Sequence, residues 1–269
     1  MFATTLLCQV LLATAAFAIP TSKERLAQRV ARRASGFTHL TTPNQVVAQP
    51  VTETGTNSTH AEFSSNWSGA VLVAGSNTFK SVTGTFTVPT PREPSGSSGT
   101  HSASAWVGID GDTCGSAILQ TGVDFTVSGS QTSFDAWFEW FPDFAHDFTG
   151  FTLRSGDSIT ATVVATSLTG GTATLINHST GQQVSHTFSG QPSLCQENAE
   201  WIVEDFSEGN SLVPLANWGT VTFTGVSAGL ASGSESPSGA TIINMEQNGR
   251  VLTSVSASSS SVTVAYTGP

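Results

Sequence analysis

SVTGTFTV, Ser81–Val88, decides the fold class. Val82, Gly84, Phe86 and Val88 alternate with Thr83, Thr85 and Thr87. Successive side chains of a strand point to opposite faces, so this period of two predicts a strand with one apolar and one hydroxyl-bearing face. The same beat recurs outward along the chain. Ile159, Ala161, Val163 and Ala165 alternate with Thr160, Thr162 and Val164. Phe134, Ala136, Phe138 and Trp140 alternate with Asp135, Trp137, Glu139 and Phe141. Such runs, cut by Gly, Ser and Pro and free of helical periodicity beyond about residue 60, predict an all-β protein. The expected architecture is an antiparallel β-sandwich of two large sheets. Ser95–Ser104, Ala231–Gly239 and Ser254–Ser261 read as small-residue loops or turns.

The N-terminal part has another character. Residues Met1–Ala18 form an apolar run ending in the small-x-small triplet Ala16-Phe17-Ala18, the pattern of a secretory signal, although the basic n-region is missing. The run is too short to span hydrocarbon, so no membrane anchor is expected. Thr21–Ala34 predicts a basic helix, with Thr21 and Glu24 as a capping box and Leu26 and Val30 on one face. Residues 19–58 are read as a propeptide and linker, and 59–269 as a single domain. Cys8 lies in the leader, which leaves Cys114 and Cys195 as a pair suited to an oxidising compartment. Asn57, Asn66 and Asn177 begin sequons that permit glycans.

Charge separates these parts. Lys23, Arg25, Arg29, Arg32 and Arg33 are five of the nine basic residues. Beyond Glu53 only Lys80, Arg92, Arg154 and Arg250 are basic, against seventeen acidic residues. Such a surface repels nucleic acid, and in acid its carboxylates neutralise without leaving a large positive charge. The composition reads as an adaptation to acid. A basic segment ahead of an acidic domain reads as a propeptide held partly by charge and loosened on acidification.

Two polar residues stand out within apolar strands. In AEWIVEDF (Ala199–Phe206), Glu200, Ile202, Glu204 and Phe206 share one face. An acid at the centre of such a strand is costly to bury unpaired. It therefore needs a partner or a cleft. Gln120, in AILQTG, is the second. Cys114 stands six residues before Gln120 and Cys195 nine before Glu204; if they are bonded, the two side chains come onto neighbouring strands. Closing that loop contributes about 3–5 kcal/mol in the chain-entropy model. A carboxylate facing a carboxamide can activate a water and stabilise the oxyanion that its attack creates.

The motifs SSNWSGAV, TGTFTVP, AWVGIDGDTC, AILQTGVDF, FDAWFEWFPD and AEWIVEDF together resemble the glutamic peptidases, or eqolisins, which are fungal acid endopeptidases. The resemblance covers most of the chain after about residue 60. It implies a concanavalin A-like, jelly-roll sandwich and secretion. It also implies pepstatin-insensitive cleavage of protein and peptide substrates in acid, without cofactor or metal, by a monomer. Motif by motif, it places the catalytic pair at Gln120 and Glu204, and maturation near residues 55–62. It puts Trp106, Asp110, Asp124, Trp137 and Glu139 at or near the substrate cleft, with the tryptophans as apolar walls and the acids as electrostatic support. Trp67, Trp140, Trp201 and Trp218 are left to packing. Only Arg92 lies within Pro89–Ser104, where some relatives carry a basic insertion that is cut, so a single mature chain is expected.

Two rivals share the same residues. In a sandwich glycoside hydrolase, Glu139 and Glu204 would form an acid/nucleophile pair. A lectin-like module would use Trp106 and Trp137 as a binding platform. Neither requires Gln120. The chain has no HExxH and no Cys-x-x-Cys, and its six histidines lack ligand spacing.

Overall fold

The alternating stretch is a strand at the heart of one of two stacked sheets. The computed structural model of the chain describes residues 39–48, 61–209 and 211–269. The signal and basic-helix readings lie outside these residues, as does the Asn57 sequon. Among the described residues there is no helix. The strands needed to place the site are β1 (Ala61–Ser64), β2 (Trp67–Val73), β3 (Ser81–Thr87), β4 (Thr100–Ile109), β5 (Ile118–Ser128) and β6 (Gln131–Phe141). To these is added the glutamate strand, Asn198–Glu204.

The front sheet runs β1, Thr241–Gln247, β2, the glutamate strand, β4, β5, β6 and His146–Asp147. Its pairs are antiparallel except β1 with Thr241–Gln247. The back sheet runs Gln182–Phe188, Gly170–Asn177, Ser158–Ser167, β3, Thr220–Gly229, Ser261–Tyr266 and Thr253–Ala257, all antiparallel. The sandwich expected from the alternation is present. All three expected loops are partly strand: Thr100–Ser104 opens β4, Ser234–Glu235 pairs with the end of Thr220–Gly229, and Thr253–Ala257 is an edge strand. In β4, serine and alanine are strand residues where space is short. Ser102, Ala103 and Ser104 are all buried.

The main core lies between the sheets. From the front sheet come Ala103, Ala105, Val107 and Ile109 of β4, with Ala199, Trp201 and Val203 of the glutamate strand. From the back come Val82 and Phe86 of β3, with Ile159, Ala161, Val163 and Phe223. Trp201 crosses the interface and donates its indole N–H to the Thr83 carbonyl at 2.8 Å. Gly84 permits this, because a Cβ there would sit 2.9 Å from the Trp201 ring. The glycine in the opening motif is therefore a packing requirement of the other sheet.

Strand alternation turns Glu200, Ile202 and Glu204 to the outer face of the front sheet. A second, smaller apolar cluster lies there: Trp67, Val71, Trp106, Ile118, Trp137, Ala145, Ile202 and Ile243. Cys114 and Cys195 are bonded. Their loops follow β4 and precede the glutamate strand, whose register pairs Ile109 with Ala199. The bridge therefore staples the glutamate strand to β4. It does not make the Gln120 and Glu204 strands neighbours, as the cysteine spacing led one to expect. β4 lies between them, and Cys114 belongs to the loop that joins β4 to β5.

Candidate active site

Register builds the site as three rows across the outer face. Glu200, Gly108, Gln120 and Glu139 form the first. Ile202, Trp106, Gly122 and Trp137 form the second, and Glu204, Ser104, Asp124 and Asp135 the third. Trp67 extends the third row, since it pairs with Glu204. Gln120 and Glu204 thus share a face and lie diagonally about Trp106. In a flat sheet, two strands and four residues correspond to about 10 Å across and about 13 Å along. Sheet curvature and the reach of two long side chains act to shorten that span.

Each carboxyl has its own surroundings. Glu204 Oε2 accepts the Trp106 indole N–H at 2.9 Å, and Trp106 packs edge-on against Trp67 at 5.0 Å. Trp137 donates its indole N–H to Ser104 Oγ at 3.1 Å. The polar tips of two buried tryptophans thus find partners beside Glu204. Asp110, at a positive φ of 71°, accepts the backbone N–H groups of Cys195, Gln196, Glu197 and Asn198. Its carboxylate is committed to the loop that launches the glutamate strand. Gln120 is fully buried, and neither atom of its amide has a hydrogen-bond partner.

The segment His39–Ala48 lies along this face. Thr41 N–H donates to Glu139 Oε2 and Thr42 N–H to Glu204 Oε1, both at 3.2 Å. The Thr42 carbonyl accepts from Trp67 Nε1 at 2.9 Å and from Asn66 Nδ2 at 3.2 Å. His39 Nδ1 lies 2.8 Å from Asp124 Oδ2, with its ring against Trp137 and Phe206. Backbone bonds fix the ends: Leu40 pairs with Ser207 in both directions, and Val47 N–H donates to the Phe63 carbonyl. Two consecutive backbone N–H groups thus rest on two different carboxyls.

Burial dominates the electrostatics. It raises the affinity of Glu139, Glu200, Glu204 and Asp205 for their protons well above the ordinary carboxylate range. At Glu204, the Thr42 and Trp106 donors oppose burial without cancelling it. Glu139 is raised further by the nearby Glu204 and Asp124.

The folded chain holds these protons more tightly than the unfolded chain, whose carboxyls titrate near pH 4. The stabilisation is complete below about pH 4 and is lost as pH rises through the raised folded values. Unfolding free energy should therefore fall as pH rises from about 4 to about 7. Denaturant titrations at both pH values test this; equal or greater stability at pH 7 contradicts it.

The structure brings together Gln120, Glu204, Trp106, Trp137, Glu139 and Asp124 on one face. Trp67 also belongs there, although the sequence reading left it to packing, and so do Asn66, Ser104 and Phe206. Register with Glu204 was the signal for Trp67 and Ser104, and it became visible only once strand order was known. Asn66 and Asn177 are buried, with their amide nitrogens bonded to Thr42 and Pro43 and to Thr152 and Asp157 respectively, so a glycan at either would displace those bonds. Among the described residues no helix is long and apolar enough to cross a membrane.

Comparison with known proteins agrees with this architecture. Residues 65–266 match the model of the peptidase A4 family. The chain is 48% identical over 280 residues to aspergillopepsin-2 of Aspergillus niger, covering 97% of this chain and 98% of that protein. It is 43% identical over 219 residues to scytalidopepsin B of Scytalidium lignicola, covering 78% and 81%. Among solved structures, scytalido-glutamic peptidase with a transition-state analogue superposes with a TM-score of 0.69 at 44% identity, covering 75% of this chain and 98% of that one. Aspergilloglutamic peptidase of Aspergillus niger superposes at 0.61 with 57% identity, covering 62% and 99%.

Proposed function

The chain belongs to the peptidase A4 family, the glutamic peptidases, and on that premise we propose that it is a secreted endopeptidase working in acid through Glu204 and Gln120. Once His39–Ala48 has left and water reaches Glu204, solvation and the Trp106 N–H favour its charged form, which takes a proton from the water that attacks the scissile carbonyl and then returns it to the leaving amine. The Gln120 amide oxygen orients the water and its NH2 donates to the developing oxyanion. A carboxamide stays neutral in acid, where histidine would not. Glu139 and Asp124 hold the substrate at its backbone and side chains, with Trp106 and Trp137 as walls. The substrates are proteins and peptides, and pepstatin, which is directed at paired aspartates, does not inhibit.

The observation that carries this reading is the extended backbone at the carboxyls, with the Thr41 N–H on Glu139 and the Thr42 N–H on Glu204. A face that accepts consecutive peptide groups fits a peptide substrate better than a sugar or a lectin ligand. The Thr41–Thr42 bond supplies its nitrogen to Glu204 in the manner of a leaving amine. The same contact occupies the oxygen that would hold the attacking water. Thus His39–Ala48 belongs to the propeptide and acts as an internal inhibitor, released when acid maturation removes it.

Two measurements test these statements. The matured protein should cleave denatured haemoglobin at about pH 2–4, a range bracketing carboxylate titration, with pepstatin present and without hydrolysing xylan. Xylan hydrolysis without proteolysis would transfer the assignment to the glycosidase reading. The peptide HLTTPNQVVA, corresponding to residues 39–48, should inhibit the matured protein competitively, raising apparent KM by about tenfold at ten times its Kd. Absence of competition would remove the inhibitory role.

A further inference from the structure

Glu200 is a buried carboxyl for which this reaction has no use. It stands on the strand and face of Glu204, opposite Gly108, which in turn stands opposite Gln120. A Cβ at Gly108 would lie 2.9 Å from Glu200 Oε1 and 3.3 Å from Gln120 Cβ. The glycine also leaves room for the edge of the Trp106 ring, 2.7 Å from that Cβ position, with Glu200 and Gln120 flanking it on the neighbouring strands. Both oxygens of Glu200 and both polar atoms of Gln120 are buried without a hydrogen-bond partner. A buried polar atom without a partner is costly, and all four belong to the two residues that flank Gly108.

The neighbours set the protonation state. Across β4 lie Gly108 and Asp110, in the following loop Asp112, on β5 Gln120, on β6 Glu139, and on β2 Val71. Glu204 is on the same strand. Every ionisable group among these is acidic. Burial first, then the charges of Asp110 and Asp112, hold the proton on Glu200 well above the ordinary range. A protonated carboxyl offers one O–H donor and a carbonyl acceptor. Glu139, the direct neighbour of Gln120 on β6, also has one oxygen without a partner, but the proposed reaction commits it to the substrate, whereas Glu200 has no other task.

We propose that Glu200 is a positioning residue: as a neutral acid it donates its O–H across Gly108 to the Gln120 amide oxygen, through one water or a small side-chain rotation. An unpaired carboxamide has two nearly equivalent orientations related by a flip. A donor on the oxygen selects the one that aims NH2 at the cleft, and polarises it into a stronger donor. The inference rests on the Glu204/Gln120 reading and supplies what that reading lacks. A single carboxylate base gains activity as pH rises and then levels off; a proton that must stay on Glu200 ends activity towards neutral pH.

The test compares pH profiles of kcat and KM on a peptide substrate for the matured protein and its Glu200→Leu and Glu200→Gln variants. Glu204→Gln and Gln120→Ala are run alongside. Glu200→Leu should lower kcat by about 10–10²-fold with KM within about twofold, the loss of aim of one oxyanion donor. Glu200→Gln keeps a donor but has no proton to lose. It should retain kcat within about threefold in acid and carry activity at least about one pH unit higher. Wild-type kcat in Glu200→Leu, or an unmoved upper limb in Glu200→Gln, overturns the proposal. If Glu200→Leu does not fold, the Glu200→Gln profile decides alone. Should Glu204→Gln and Gln120→Ala both turn over normally, the dyad reading itself has failed.

Discussion

Glu204→Gln is expected to lower kcat by about 10⁴-fold, the upper end of the scale of a positioned acid–base group, in a protein that folds normally. The substitution keeps the volume and leaves an oxygen to accept the Trp106 indole N–H, now made to Oε2 at 2.9 Å. What disappears is the basic oxygen that takes the water's proton and returns it to the amine. Because burial raises Glu204's affinity for its proton, removing the ionisable group should leave neutral-pH stability unchanged or higher. A merely structural carboxyl would give the opposite pattern, with a stability loss and residual turnover. Retained activity in purified, folded Glu204→Gln would remove Glu204 from the chemistry.

Gln120→Ala should lower kcat by about 10²–10³-fold, the loss found when one oxyanion donor is deleted. KM should change little, because the donor acts on charge that develops in the transition state. Gln120 pairs with Glu139 across β5 and β6, so truncation also opens a space beside that acid. A matched Glu139→Gln variant separates the effects. If Glu139 were the partner carboxyl of a glycosidase-type pair, Glu139→Gln would be the damaging change and Gln120→Ala nearly silent.

Much of this was legible in the chain. The alternation of Ser81–Val88 and Phe134–Phe141 announced the sandwich, because a half-buried strand must repeat every two residues. The faces of the glutamate strand were legible for the same reason, and the resemblance singled out Gln120 and Glu204 as a pair. Strand order was not. Cysteine spacing suggested adjacency for Gln120 and Glu204, yet a disulfide between loops reports only which loops meet, and β4 passes between the two strands. That Trp67 packs on the face of Glu204 was not legible, because a tryptophan in a strand carries no mark of which face it fills until its register is known. Ser102–Ser104 read as loop because small polar residues favour turns. Here they are strand residues crowded by Trp137 and Thr126. The contacts of His39–Ala48 had no sequence signal beyond position, since they use backbone N–H groups that every residue carries.

The most direct measurement is a crystal structure of the matured protein with a hydroxyl-bearing transition-state analogue. The account predicts the tetrahedral hydroxyl within about 3.2 Å of both the Glu204 carboxylate and the Gln120 amide, the range of a hydrogen bond, with His39–Ala48 gone from the cleft. An analogue bound through Glu204 and Glu139 alone, with the Gln120 amide pointing elsewhere, would contradict it.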